Sequence, residues 1–103
     1  RLLESMAAAA TACGSTVISQ IRYQFGAGSP PGCTAIVMLD ESHCSAHTYA
    51  DLGLVALDLF TCGRVDPGRI LGCLESELDL GEMSVRSFEC FPVLGGFLSI
   101  RQQ

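Results

Sequence analysis

A chain of 103 residues that is 49% hydrophobic and 17% charged is sized for one small domain and is too apolar to be disordered. The net charge is −5, and the six cations, all arginines, are scattered from Arg1 to Arg101, so no basic face awaits a nucleic acid. Without a lysine, the chain can hold neither pyridoxal phosphate through a Schiff base nor a nucleotide through a Walker loop.

Residues 2–12 read as a helix, with Leu2, Leu3, Met6 and Ala10 on one side, a run of alanines raising its propensity, and Gly14 placed to end it. From Val17 to Phe25 the apolar residues Val17, Ile21, Tyr23 and Phe25 alternate with Gln20, Arg22 and Gln24, a strand with one wet side. The Gly26–Gly32 stretch, rich in glycine and proline, is a turn. Ala35–Leu39 and Leu54–Phe60 are short apolar runs that read as buried strands, the second interrupted only by Asp58. The polar segment 40–53 between them is expected to be a loop or strand-end connection carrying the histidines, serines and acidic groups.

Asp66-Pro67 starts a second helix, with an N-cap carboxylate and proline in the first turn, and Ile70, Leu71, Leu74 and Leu78 follow at helical spacing. Met83–Phe91 reads as a last strand, and the tail after Pro92 is given no element. Strands joined by short connections favour antiparallel pairing. The expected fold is α+β: a two-layer sandwich, one antiparallel sheet with both helices on one face, forming a single domain over residues 1–103.

Six cysteines (13, 33, 44, 62, 73, 90) could build three disulfides in a secreted mini-protein. Their apolar surroundings and a chain with enough aliphatic residues to build a core favour reduced, mostly buried thiols and a cytoplasmic location, and the lack of a Cys-x-x-Cys pair argues against zinc ribbons and thioredoxin-like redox sites. No apolar run reaches the roughly 18 residues needed to cross a bilayer, so no membrane is expected either. The first residue is Arg1 and no signal peptide is visible, so an upstream segment is expected to precede it.

Gly26-Ala27-Gly28-Ser29-Pro30-Pro31-Gly32 has the look of a phosphate loop, but its prolines remove backbone donors and a hairpin turn explains it better. His43 and His47 flank Cys44, yet further ligands would have to come from scattered side chains, so no metal is expected. The densest chemistry is Glu41-Ser42-His43-Cys44-Ser45-Ala46-His47-Thr48, which holds both histidines of the chain beside hydroxyls that a base can activate. A polar loop is the plain alternative, and a hydrolase would lack the Gly-x-Ser-x-Gly elbow. Cys62, in Phe60-Thr61-Cys62-Gly63, ends a strand beside a glycine, where a thiol is either a buried hydrophobe or a reactive group.

Glu41-Ser42-His43-Cys44-Ser45-Ala46-His47-Thr48, followed by Leu57-Asp58-Leu59-Phe60-Thr61-Cys62-Gly63 and Val65-Asp66-Pro67, resembles the bacterial and archaeal S-adenosylmethionine decarboxylase family over roughly residues 2–90. The resemblance implies self-cleavage at Glu41–Ser42. The Ser42 hydroxyl attacks the Glu41 carbonyl to give an ester, β-elimination leaves dehydroalanine, and its hydrolysis with loss of ammonia leaves a covalent pyruvoyl group at position 42. It implies His47 as the proton-transfer base of that maturation, with Thr34, where the family usually has serine, assisting. The pyruvoyl would take the substrate amine as a Schiff base, and Cys62 would protonate the α-carbon after carbon dioxide leaves. The implied product, decarboxylated S-adenosylmethionine, serves spermidine synthesis, and the implied assembly is a homodimer or higher homo-oligomer with its sites near the subunit interface.

Departures cluster where substrate contacts are expected. Tyr49-Ala50-Asp51 stands where the family has Trp-Pro-Glu, shortening the acid by one methylene, and Arg22-Tyr23-Gln24-Phe25 lacks the family's histidine. Phe25 and Asp51 are the expected substrate contacts. The same chemistry on arginine or ornithine, and a homologue that never cleaves and acts as a regulatory subunit, are the alternative readings.

Overall fold

The computed structural model describes residues 1–62, 65–89 and 96–102. In chain order these form α1 (Leu2–Ala12), β1 (Val17–Gln24), β2 (Cys33–Leu39), β3 (Ser42–Tyr49), β4 (Leu54–Thr61), α2 (Pro67–Glu77), β5 (Met83–Phe88) and β6 (Gly96–Gln102). All neighbouring strands pair antiparallel, in the order β1-β2-β3-β4-β6-β5. Both helices cover one face: α1 lies over β1 and β2, and α2 over β4 and β6. The expected α+β sandwich is what forms.

The helix ends follow their sequence signals. Gly14, at φ +96°, closes α1 in a left-handed cap, with Gly14 N–H donating to Thr11 C=O at 3.1 Å and Ser15 N–H to Ala10 C=O at 3.0 Å. The Asp66 carboxylate caps α2 by accepting from Gly68 N–H at 2.9 Å, ahead of Pro67. Between helices and sheet lie Met6, Ala10, Val37, Leu57, Leu59, Ile70, Leu74 and Ile100, each at most 1% exposed. Truncating one of the large members to alanine would cost about 2–5 kcal/mol.

Three expectations are corrected. Segment 40–53 is not a loop: Ser42–Tyr49 is the central strand β3. Its inward residues Ser42, Cys44 and Ala46 are small, and its outward residues His43, Ser45 and His47 are polar, so no large hydrophobe announces it. The tail, given no element from its sequence, forms one, since β6 inserts between β4 and β5 with Leu98 and Ile100 turned inward. The last predicted strand ends at Phe88, and Cys90 and Phe91 lie outside the described residues.

The apolar side of β1 also points away from the core. Ile21 and Tyr23 are 60% and 62% exposed. They continue across the sheet face opposite the helices, where Ile21 pairs with Ile36 and Tyr23 with Thr34. That uncovered face also carries Met38, His43, Ser45, His47, Asp58 and Arg101. The Arg101 guanidinium donates to the Asp58 carboxylate at 3.0 Å, which gives the one charge interrupting β4 its partner. Among the described residues no helix is long and apolar enough to cross a membrane.

Candidate active site

Strands β2 and β3 are joined by two residues, Asp40 and Glu41, with Leu39 paired to Ser42. A tight hairpin of this kind forces positive φ somewhere in the turn. Here it falls on Glu41, at φ 73°, the one non-glycine residue with positive φ among the described residues. An L-residue in that region costs roughly 1–2 kcal/mol. The peptide bond that follows this strained residue is Glu41–Ser42.

Ser42 is 8% exposed and sits on the helix-covered face. Its Oγ accepts the backbone N–H of Cys62 at 3.0 Å, joining the start of β3 to the end of β4. Beside it opens a recess of about 250 Å³, lined by Asp40, Glu41, Ser42, Cys62, Val65 and the Gly14–Thr16 turn after α1. Asp40 N–H is tied to Thr16 C=O at 3.1 Å, which fixes that turn against the hairpin. The half-buried Cys62 is a free thiol. A larger recess of about 410 Å³ lies at the other end of the molecule, against Leu2, Val55, Leu78, Leu80 and Gln102, and its lining holds no cysteine, serine or histidine.

His47 and Thr34 form a second cluster. Thr34 Oγ1 and His47 Nδ1 hydrogen-bond at 2.8 Å across paired positions of β2 and β3. His47 is five residues beyond Ser42 on one strand, about 16 Å at 3.3 Å per residue, and its side chain leaves the opposite face. Phe25 and Tyr49 lie near this end, with ring centroids 6.0 Å apart. Asp51 is in the exposed turn after β3. Gly32 makes the close approach possible, because a side chain there would collide with the Thr48 carbonyl.

Within one chain, then, Glu41, Ser42 and Cys62 come together at the recess, while Thr34, His47 and Phe25 lie toward the other end of the β2–β3 pair and Asp51 in the turn beyond it. Two features escape a reading of the sequence: the left-handed Glu41, and the Gly14–Thr16 wall of the recess, whose only signal is the glycine that caps α1. His43 stacks on Phe60 at 5.4 Å on the uncovered face. No group of three or more His, Cys, Asp or Glu side chains is arranged to hold a metal among the described residues. Burial pushes the Cys44 thiol up to about 12, so it stays protonated in the core.

Comparison with known proteins matches residues 1–89 to the family model described as S-adenosylmethionine decarboxylase. Among similar curated proteins is the S-adenosylmethionine decarboxylase proenzyme of Brevibacillus brevis, 49% identical over 78 residues, covering 75% of this chain and 56% of that protein. That of Symbiobacterium thermophilum is 44% identical over 78 residues, covering 75% of this chain and 57% of its own length. That of Methanococcus maripaludis is 47% identical over 56 residues, covering 54% and 43%. The chain thus spans little more than half the length of the first two relatives. A family match over residues 1–89 of a 103-residue chain leaves no ambiguity of kinship: the chain belongs to the S-adenosylmethionine decarboxylase family.

Proposed function

We propose that the protein is a self-processing, pyruvoyl-dependent decarboxylase acting on S-adenosylmethionine, a step that supplies spermidine synthesis. The observation that carries this reading is the hairpin itself: a nucleophilic hydroxyl, buried and hydrogen-bonded, directly follows a strained left-handed residue.

Ser42 Oγ attacks the Glu41 carbonyl carbon, and the acyl group passes from nitrogen to oxygen. The Cys62 N–H holds that oxygen at 3.0 Å and continues to donate to it as it leaves on the new Glu41 carboxylate. Cleavage removes the need for Glu41 to stay in the left-handed region. The pyruvoyl carbonyl left at position 42 supplies the electron sink for decarboxylation. The residues present fit it: a small recess, a buried position and one thiol beside it. The Cys62 thiol delivers a proton to the substrate α-carbon from the recess wall, while Asp40 and Glu41 place carboxylates near a cationic sulfonium.

His47 serves as maturation base only if it comes from a second copy, because in its own chain it is roughly 16 Å away on the other face of β3. The uncovered sheet face, with Ile21, Tyr23, Ile36 and Met38 exposed, supports such a pairing. Two copies related by a twofold axis would set the Thr34–His47 end of one against the hairpin end of the other, and the companion's imidazole would have to reach Ser42 around the Asp40–Glu41 turn, because Ser42 faces the helices. Phe25 and Asp51 would then contact substrate in the partner's recess. The location proposed is the cytoplasm, consistent with the free thiols.

The test is release of labelled carbon dioxide from carboxyl-labelled S-adenosylmethionine, arginine and ornithine by the full-length protein. Release from the first alone is expected. Release from arginine or ornithine instead would reassign the substrate, and no release together with an uncut chain would favour the regulatory reading.

A further inference from the structure

The helices meet at a pair of cysteines that the proposed chemistry does not use. Cys13 caps the carboxyl end of α1 and Cys73 lies within α2, and their sulfurs are 3.9 Å apart. It is the one thiol–thiol hydrogen bond among the described residues. We propose that Cys13 and Cys73 form a dithiol oxidation site that takes a low-molecular-weight disulfide as co-reactant and closes a bridge tying α1 to α2.

Geometry favours this pair over the other thiols. A disulfide needs its sulfurs about 2 Å closer than they stand. Cys13 can supply that movement by rotation of its side chain, since it stands at the C-cap of α1 and not within the helix. Both residues are half-buried at the seam between the helices, not sealed in the core. Cys44 is fully buried beneath them, out of reach of a small disulfide. Cys33 is buried and engaged by the Thr48 hydroxyl at 3.4 Å.

The chemistry balances as two thiol–disulfide exchanges. One thiolate of the pair attacks a sulfur of the small disulfide, forming a mixed disulfide and releasing one small thiolate. The second thiolate attacks the protein sulfur of that mixed disulfide and expels the other. Two electrons pass from the protein to the small disulfide, and the protons lost by Cys13 and Cys73 end on the two released thiols. The bridge closes a span of 60 residues. It also links α1, whose end leads into the Gly14–Thr16 wall of the Ser42 recess, to α2, which follows the Val65 wall.

The experiment incubates the reduced full-length protein with glutathione disulfide, alkylates the remaining thiols, and digests at arginine. The expected product joins the peptide Leu2–Arg22 to the peptide Ile70–Arg86, with a rise of several degrees in Tm that dithiothreitol reverses. Neither peptide spans Glu41–Ser42, so the result is independent of whether the chain cleaves itself. Cys13→Ser should lose both the cross-link and the Tm rise, and Cys73→Ser gives the same readout should the first variant fold poorly. Glutathione left attached without a cross-link, or a bridge to the peptide Tyr23–Arg64, would overturn the proposal.

Discussion

The backbone N–H of Cys62 donates to Ser42 Oγ at 3.0 Å, across the adjacent ends of β3 and β4. A main-chain donor does this, so the contact is independent of the Cys62 side chain, and the two proposed roles of that residue can be separated. Orienting the hydroxyl belongs to the amide; giving a proton belongs to the thiol. Cys62→Ala is therefore expected to cleave itself and then turn over roughly 10²–10⁴-fold more slowly. Intact mass reads the first property and labelled carbon dioxide the second. Undiminished turnover would remove the thiol from its role.

Ser42→Ala removes the nucleophile and should leave one uncut polypeptide after long incubation, where the unaltered chain is expected to give a piece ending at Glu41 and a piece beginning at position 42. Two pieces from Ser42→Ala would place the scissile bond elsewhere.

If the maturation base is supplied across an interface, two defective variants should rescue each other. His47→Ala alone and Ser42→Ala alone are expected to stay uncut. Unfolding and refolding them together should produce mixed dimers in which the His47→Ala chain, which keeps Ser42, is cleaved by the histidine of its companion. Mass spectrometry distinguishes the two chains, and rescue should approach the statistical share of mixed dimers. Self-cleavage by His47→Ala on its own would refute the shared site.

The left-handed Glu41 gives a stability prediction. In the Ser42→Ala background, where no cut intervenes, Glu41→Gly should raise stability by up to about 1 kcal/mol, the strain relieved less the extra backbone entropy of glycine. With Ser42 present, the same change should slow cleavage, because the turn no longer stores what the cut releases. Denaturant midpoints and the time course of fragment formation check the two halves.

Cys44 sets a pH limit on the fold. Its thiol is pushed up to about 12 by burial, from an ordinary value of 9.0, so the folded state holds a proton that the unfolded chain gives up sooner. The stabilisation is complete below pH 9 and is lost as pH rises through the window from 9 to 12, at about 1.4 kcal/mol per unit. Cys44→Ala should show a flatter fall in Tm between pH 8 and pH 10.5 than the parent chain. Parallel slopes would mean that Cys44 does not govern alkaline unfolding.

Much of the fold was legible where a residue type has a single structural use. Asp66-Pro67 and Gly14 marked helix ends because a capping carboxylate, a proline without N–H and a left-handed glycine have few other places to be. β3 stayed hidden because its inward residues are Ser42, Cys44 and Ala46, which carry almost no hydrophobic signal. The apolar residues of β1 suggested burial, but Ile21 and Tyr23 lie on the face the helices leave open, so their partner is outside the chain or solvent. For the site, Glu41, Ser42 and Cys62 line one recess. His47 does not, because nearness along a strand is not nearness in space: each residue adds about 3.3 Å and reverses the face.

The proposed cut falls in the connection between two interior strands, not in a dispensable outer loop. Residues 1–41 would keep α1, β1 and β2, and the remainder would keep β3, β4, α2, β5 and β6, held together by the Thr34–His47 to Leu39–Ser42 ladder and the helix seam. Assembly of that sheet is a unimolecular event only while the hairpin is intact. A mature molecule that unfolds must afterwards find its other half by diffusion, so its recovery should depend on concentration while that of the uncut Ser42→Ala chain does not. The hairpin would then act as a template used once: it guides the fold, and its loss makes the finished shape something the pieces hold but do not readily regain.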